Sequence, residues 1–417
     1  MRVAYYSPLP PERTGIADYS ALILPELRRH LDVEVVRRGR RRAPRNTDVS
    51  LYHIGNNPDA HGWIVGALRR RRGIVVLHDF VLHHLIAGLT VGRGDGAGYL
   101  DAMQRDSGVA GRLIAHGVID GVIPPVWETR AEEFPLVREV LDHADGVIVH
   151  SHYVEEHVRK SGFRGPVWRI PMPAPHESSA PRPFSLPRPA SLVIGCFGNL
   201  NPAKRGPQLL KAFVEIRKRH PEALLVLAGG ISSRYDLELQ AEEHGLSLGE
   251  SVVHLGYLDE RDIRPLLASC DILVSLRWPT MGETSASVIR ALAAGRPIVV
   301  SDVGWFSELP DGVAAKVPVG QGEVEILSAF LDALALDEEL RRKMGCAAAE
   351  YARLEHDLDR VAGLYVAALE EAAGGSAVRD ELAGELARSA WEVGLSARNP
   401  ELSHIAAKAR ELGARPD

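Results

Sequence analysis

Short apolar runs, each closed by a polar or glycine-containing turn, recur along the chain at residues 3–6, 33–36, 51–54, 73–77, 146–149, 192–197, 223–228, 252–257, 272–276 and 298–300. Runs of this length suit buried strands. Between several of them the apolar spacing changes to three and four. Ile16, Tyr19, Ile23 and Leu27 share one face of a helix over 16–30, and Leu209, Leu210, Phe213 and Ile216 line another. Val288, Ala291 and Leu292 give a third such face, with Ser285 or Ser287 as N-cap and Gly295-Arg296-Pro297 as the stop. Alternation of strand, loop and helix predicts an α/β fold with parallel, doubly wound sheets. Residues 99–143 read as mainly helical, and the glycine-rich stretch 90–98 reads as a flexible loop placed to act as a lid.

The alternation breaks once. Residues 171–190 hold seven prolines and few large apolar side chains, which is linker composition. At 417 residues the chain exceeds one typical core, so two domains are expected. The predicted boundaries are a Rossmann-like domain over 1–172, a Pro-rich linker over 173–190, a second Rossmann-like domain over 191–355, and helices over 356–417.

Composition narrows the function. Apolar residues at 45% and charged residues at 25% describe a soluble globular chain. A net charge of −6 argues against bulk nucleic-acid binding. Cys196, Cys270 and Cys346 are scattered and odd in number, so they predict neither a metal site nor a disulfide framework; a reducing cytoplasm fits. No apolar run approaches the roughly 20 residues of a membrane helix. Six arginines lie within 37–45 and four fill 69–72; such runs are usually solvated loops, and they also offer a surface for anionic lipid.

The candidate chemistry sits where apolar runs end. In an open parallel sheet those ends form the ligand-binding edge. The run over 73–77 stops at His78-Asp79, and Gly15 stands at the start of the first helix. Lys204-Arg205 open a later helix, where two cations suit a diphosphate. After the run at 272–276 come Glu283, Thr284 and Ser285, ahead of a helix whose free N–H groups could seat phosphate. His78, His83 and His84 lack a carboxylate or cysteine at zinc-site spacing. Neither half carries the full glycine fingerprint of a dehydrogenase.

Residues 277–311 resemble the donor-site segment of the retaining family-4 glycosyltransferases. These have the GT-B fold: two Rossmann-like parallel-sheet domains facing across a cleft, with C-terminal helices crossing back to the first domain. The family pattern is two spaced glutamates followed by Ala-X-Ala-X-Gly-X-Pro-Val-Val. The second half matches at Ala291-Leu292-Ala293-Ala294-Gly295-Arg296-Pro297-Ile298-Val299. The first half departs: Gly282 stands at the first glutamate, with Glu283 one residue later, and Arg290 stands at the second. In the family the first glutamate contacts the donor sugar and the second the nucleotide ribose. Glu283 takes the first role after a small loop shift, whereas Arg290 has donors only and suits a phosphate or an exposed face. The resemblance puts Lys204 on the donor phosphates, with Asn199 at the position of a family arginine and Arg205 supplying the missing charge. It puts a glycine loop at Gly15, a His-Asp strand end beside the transferred sugar at His78 and Asp79, and the nucleobase near Gly256, Tyr257 and Leu258. Glu308 matches a loop ending in Pro-Glu, with Ser307 in place of the proline. The resemblance covers residues 1–373.

The expectation is therefore a metal-independent, retaining glycosyltransferase that moves a hexosyl group from a nucleotide-diphosphate sugar to a glycan, glycolipid or small-molecule acceptor. Glu283, His78 and Lys204 are the expected catalytic residues. Gly15, Asn199, Lys204, Arg205, Gly256, Tyr257, Leu258, Glu283, Thr284, Ser285 and Arg290 are the expected donor site, and His78 and Asp79 the acceptor site. No cofactor beyond the donor and no nucleic acid is expected. The expected location is the cytoplasm, with the Arg-rich loops as a place for peripheral contact at the inner membrane face. Two other readings stay open: a sugar-nucleotide epimerase on the same architecture, and a non-catalytic sugar-nucleotide or glycan-binding protein whose chemistry has decayed at Asn199 and Arg290.

Overall fold

A computed structural model describes residues 1–39, 44, 46–175, 182–232 and 236–392. Two six-stranded parallel sheets form its framework. The first contains β1 (Arg2–Tyr6), β2 (Asp32–Val36), β3 (Val49–Ile54), β4 (Gly73–Leu77), β5 (Ala144–Val149) and β6 (Val167–Arg169), in the order β2-β1-β3-β4-β5-β6. The second contains β7 (Leu192–Phe197), β8 (Ala223–Ala228), β9 (Val252–His254), β10 (Ile272–Ser275), β11 (Ile298–Ser301) and β12 (Ala314–Val317), in the order β12-β11-β10-β7-β8-β9. Every residue of β3, β4, β8, β10 and β11 is buried, as a sheet covered by helices on both faces requires.

Both sheets reverse strand order beside their first strand, between β1 and β3 and between β7 and β10. The crevice beyond such a reversal is open at the C-terminal edge, so loops leaving those strands converge on a ligand-sized space. β6 and β12 were not expected; they are short edge strands with half-exposed positions and leave little apolar signal. β9 stops at His254, short of the run at 252–257, and Gly256 turns the chain with φ +66°. The 90–98 stretch is less of a loop than expected. Asp95 accepts from the Gly98 N–H at 2.8 Å and caps a helix, Gly96–Ile119, that absorbs the last of its glycines.

The C-terminal helix, Leu358–Glu392, returns to the first domain as GT-B helices do. Tyr365 and Tyr19 share a hydroxyl–hydroxyl bond of 2.6 Å, and Trp168 Nε1 donates to Glu371 at 2.9 Å. Expectations for 393–417 lie outside the described residues. So do Arg40, Arg41, Arg42 and Arg45 of the first arginine run. In the second run Arg69 pairs with Glu139 at 3.0 Å, Arg71 donates to the Thr47 carbonyl at 3.0 Å, and Arg72 pairs with Asp145 at 2.9 Å. These contacts tie that run into the fold. Among the described residues no helix is long and apolar enough to cross a membrane.

Candidate active site in the interdomain cleft

The rim of the second sheet gathers charge. Gly198 leaves β7 with φ +102° and Gly229 leaves β8 with φ +137°. A Cβ on Gly229 would sit 2.4 Å from the Gly198 carbonyl oxygen, so the two loops pack this closely only with glycine there. A Cβ on Gly198 would lie 3.3 Å from both Lys204 Nζ and Ser287 Oγ. An ammonium and a hydroxyl therefore flank one backbone bend. The Trp278 N–H donates to the Ala203 carbonyl at 2.8 Å and draws the loop after β10 against Lys204. Burial, followed by the Arg277 guanidinium nearby, pushes the Lys204 ammonium down to about 7.

Arg277 also meets Glu283. Its Nε lies 2.7 Å from Oε1, an ion pair set off the line of the N–H bond. The other oxygen, Oε2, accepts from Thr280 Oγ1 at 3.0 Å and from the Met281 N–H at 2.7 Å. A carboxylate has about four acceptor positions, so one on Oε1 is left for a ligand hydroxyl. Ser285 caps the Ala286–Ala293 helix through the Val288 N–H, and the buried Thr284 hydroxyl has no partner.

The rim of the first sheet is dense in histidine. His53 Nδ1 and His78 Nε2 are 3.0 Å apart, and His78 and His150 ring centroids are 5.0 Å apart. Tyr19 meets the His78 ring edge-on at 4.9 Å. Burial, reinforced by the neighbouring imidazoles, drives His53 and His78 well below the usual histidine value. Burial takes His150 down to about 4 despite its 2.8 Å bond to the Ile170 carbonyl. These rings are neutral near pH 7. Beside them, Asp79 accepts from the Asn56 N–H at 2.8 Å. Burial first, then the Glu283 charge, raises its carboxyl to about 7.

The rims touch. The Phe80 and Val81 N–H groups both donate to the Met281 carbonyl, at 2.8 and 2.9 Å. This bond pair brings Asp79 of one domain beside Glu283 of the other. A second tie is made by Glu308, whose carboxylate accepts from the His152 and Tyr153 N–H groups at 3.0 and 2.6 Å. It caps the His152–Lys160 helix of the first domain together with Ser151.

Next to the charged rim lies a cavity of about 230 Å³. Leu22, Met172, Pro173, Phe197, Ile263 and Leu267 form its apolar wall. Asp18, Asn199, Tyr257, Glu260, Ser287 and Arg290 supply polar groups, and Gly15 and Leu258 also line it. Asn199 Oδ1 accepts from the Gly230 N–H at 3.1 Å and braces that loop. Arg13 reaches from the first domain to lie 5.3 Å over the Tyr257 ring. Arg205 is placed differently from expectation: it pairs with Glu323, which is buried, rather than joining Lys204. The charge beside Lys204 comes from Arg277. Sequence reasoning missed Arg277, although its signal was the one that found His78 and Asp79: an apolar run that stops abruptly at a charged residue. It also missed Asp18 and Glu260, which only tertiary packing brings to the cavity. Among the described residues no group of three or more metal-ligating side chains is arranged to hold an ion.

Residues 182–351 match the model of the glycosyl transferases group 1 family. They are a glycosyl transferases group 1 domain. The chain is 28% identical over 210 residues to D-inositol 3-phosphate glycosyltransferase of Stackebrandtia nassauensis, covering 47% of this chain and 46% of that protein. It spans about half the length of the curated relatives it matches. Its fold is similar to that of sucrose-phosphate synthase from Thermosynechococcus elongatus, with a TM-score of 0.61, 16% identity, and 89% and 98% of the two chains covered. It is also similar to that of Anabaena HepE, solved with UDP and glucose, with a TM-score of 0.58, 16% identity, and 89% and 99% covered. The architecture is GT-B.

The group 1 domain departs from the expected glutamate pattern for reasons visible in its packing. Gly282 has φ +78°, and a Cβ there would lie 2.6 Å from Phe80 Cβ. No side chain fits at 282 while the Met281 carbonyl holds the first domain, so the glutamate stands at 283. At the second position Arg290 Nη1 meets Glu260 Oε1 at 2.5 Å. The carboxylate at that end of the site comes from the Glu260–Ser269 helix instead.

Proposed function

We propose that this protein is a retaining glycosyltransferase that uses a nucleotide-diphosphate sugar without a metal ion. The observation that carries the reading is the buried cation pair, Lys204 and Arg277, beside the Gly198 bend and the start of the Ala286–Ala293 helix. Glu283 pairs with Arg277 and leaves the Lys204 charge uncompensated in a dry site, an arrangement unfavourable alone and favourable around a polyanion. A diphosphate is that polyanion. The group 1 domain supports the same chemistry, and HepE, of similar fold, binds UDP and glucose.

In this mechanism the bond from the anomeric carbon to the β-phosphate oxygen breaks and negative charge grows on the diphosphate. Lys204, Arg277 and the helix N–H groups stabilise that charge in place, a contribution of roughly 3–4 kcal/mol for a single well-aimed group. The acceptor hydroxyl attacks the same face within a tight ion pair, and its proton passes to the departing phosphate oxygen. Glu283 orients the sugar through the acceptor position left on Oε1. Asp79 and His78 line the acceptor side, and contact between the domains excludes water. The acceptor is a hydroxyl-bearing glycan, glycolipid or small molecule.

The test is nucleoside-diphosphate release and thermal shift with UDP-, GDP-, ADP- and dTDP-sugars in the presence of a chelator. Expected is a stabilising shift with one nucleotide class and slow diphosphate release from it, both lost in Lys204→Ala. Binding of every nucleotide sugar no tighter than free sugar would end the reading. Binding with no release or transfer to any acceptor would leave a sugar-nucleotide-binding protein.

A further inference from the structure

The cavity beside the charged rim holds a side-chain pair that the proposed chemistry does not use. Arg290 Nη1 lies 2.5 Å from Glu260 Oε1. Arg290 is mostly buried, whereas the Glu260 side chain is 63% exposed toward solvent and cavity. Asp18 approaches from the first domain and also lines the cavity. Arg290 and Glu260 both act on the Asp18 carboxyl, whose value burial raises most.

Position along the Ala286–Ala293 helix gives the pair a meaning. Ser287, with Gly198 and Lys204, marks the phosphate end. Arg290 follows one helical turn later, about 5 Å along the axis. The next unit of a nucleotide beyond its phosphates is the ribose, and beyond that is the base. Tyr257 and Leu258 lie three and two residues before Glu260 and border the apolar wall. A group that reads ribose must accept hydrogen bonds from two neighbouring hydroxyls. Arginine cannot do so, having donors only, and a carboxylate can. Arg290 fixes one Glu260 oxygen and leaves Oε2 for ligand hydroxyls.

We propose that Glu260, held in place by Arg290, reads the 2′,3′-diol of the nucleotide ribose from the Glu260–Ser269 helix. This assignment rests on the nucleotide-sugar reading. Glu260 touches the ligand; Arg290 acts through it as a positioning residue.

The test is calorimetric binding of UDP, GDP and ADP, with the 2′-deoxy and 3′-deoxy form of whichever binds, to the full chain and to Glu260→Gln and Arg290→Met. In the unaltered protein, loss of either hydroxyl should weaken binding about tenfold, the effect of one hydrogen bond to a part-exposed carboxylate. In Glu260→Gln each deoxy form, which still offers one hydroxyl, should weaken by up to about tenfold and the ribonucleotide, which offers two, by more, bringing their ratio toward one. Arg290→Met should lower the same ratio, which a merely structural loss would not single out. Glu260 is exposed enough for its glutamine variant to keep the fold. Equal binding of ribo and deoxy forms by the unaltered protein, or an unchanged ratio in Glu260→Gln, would overturn the assignment and leave the nucleotide-sugar reading standing. Failure of all three diphosphates to bind would overturn both.

Discussion

At the rim of the first sheet, His53, His78 and His150 crowd together with Tyr19, and burial keeps all three imidazoles neutral. At the rim of the second, Lys204 and Arg277 stand together against Glu283. The two sheets share a parallel topology and the same kind of strand-order reversal. On the proposed reading, the difference lies in what each side meets. A rim facing an uncharged acceptor can be filled with neutral polar rings. A rim facing a diphosphate needs cations, and it must hold them in a dry place before the ligand arrives.

The comparison makes its largest prediction in acid. Each buried histidine is neutral in the fold and regains its ordinary value near 6.5 when unfolded. The unfolded chain then binds protons that the fold refuses. Stability should be full above pH 6.5 and fall as pH drops toward 4, by about 1.4 kcal/mol per pH unit for each such histidine. Denaturant titrations across that range check this, and a flat profile would place water against the cluster. Lys204→Ala makes the opposite separation. It should cut kcat/KM roughly 100- to 1,000-fold while leaving the unfolding midpoint near its original value, because the deleted charge serves the diphosphate more than the fold. Parallel kinetics and melting curves decide it.

The cleft contacts sharpen the comparison further. Gly282→Ala should destabilise by about 2 kcal/mol, since the left-handed backbone penalises a side chain and Phe80 occupies its space. Loss of the Met281 contact should also raise the radius of gyration in X-ray scattering. Diphosphate affinity should fall by up to about tenfold per pH unit above pH 7 as Lys204 loses its proton, and Lys204→Met should flatten that slope. The smallest effect is expected for Glu308→Ala. It removes one cap from the His152–Lys160 helix, about 1 kcal/mol in chemical denaturation.

Much of this was readable before the structure. Most strands begin and end within two residues of the apolar runs, because a strand buried on both faces has no polar positions to blur its limits. The short edge strands β6 and β12 escaped for the converse reason. Among candidate site residues, Lys204, Glu283, His78 and Asp79 stood at ends of elements and could be picked out there. Arg205 did too, but Glu323, more than a hundred positions away, claims it. Arg277 was hidden because its importance comes from Lys204, which lies on another loop. Glu308 could be named but its role could not, since its partners are backbone N–H groups of the other domain.

The sequence by itself determined the two parallel sheets and the positions where most strands end, since these follow from local periodicity and turn chemistry. It also exposed the departures at Gly282 and Arg290 from the expected pattern. Only the tertiary structure decided what those departures mean. Close approach to Phe80 excludes a side chain at 282, and Arg290 takes its carboxylate from another helix. Whether a charge faces a ligand or a neighbour depends on distances between segments remote in the chain, which no local pattern records.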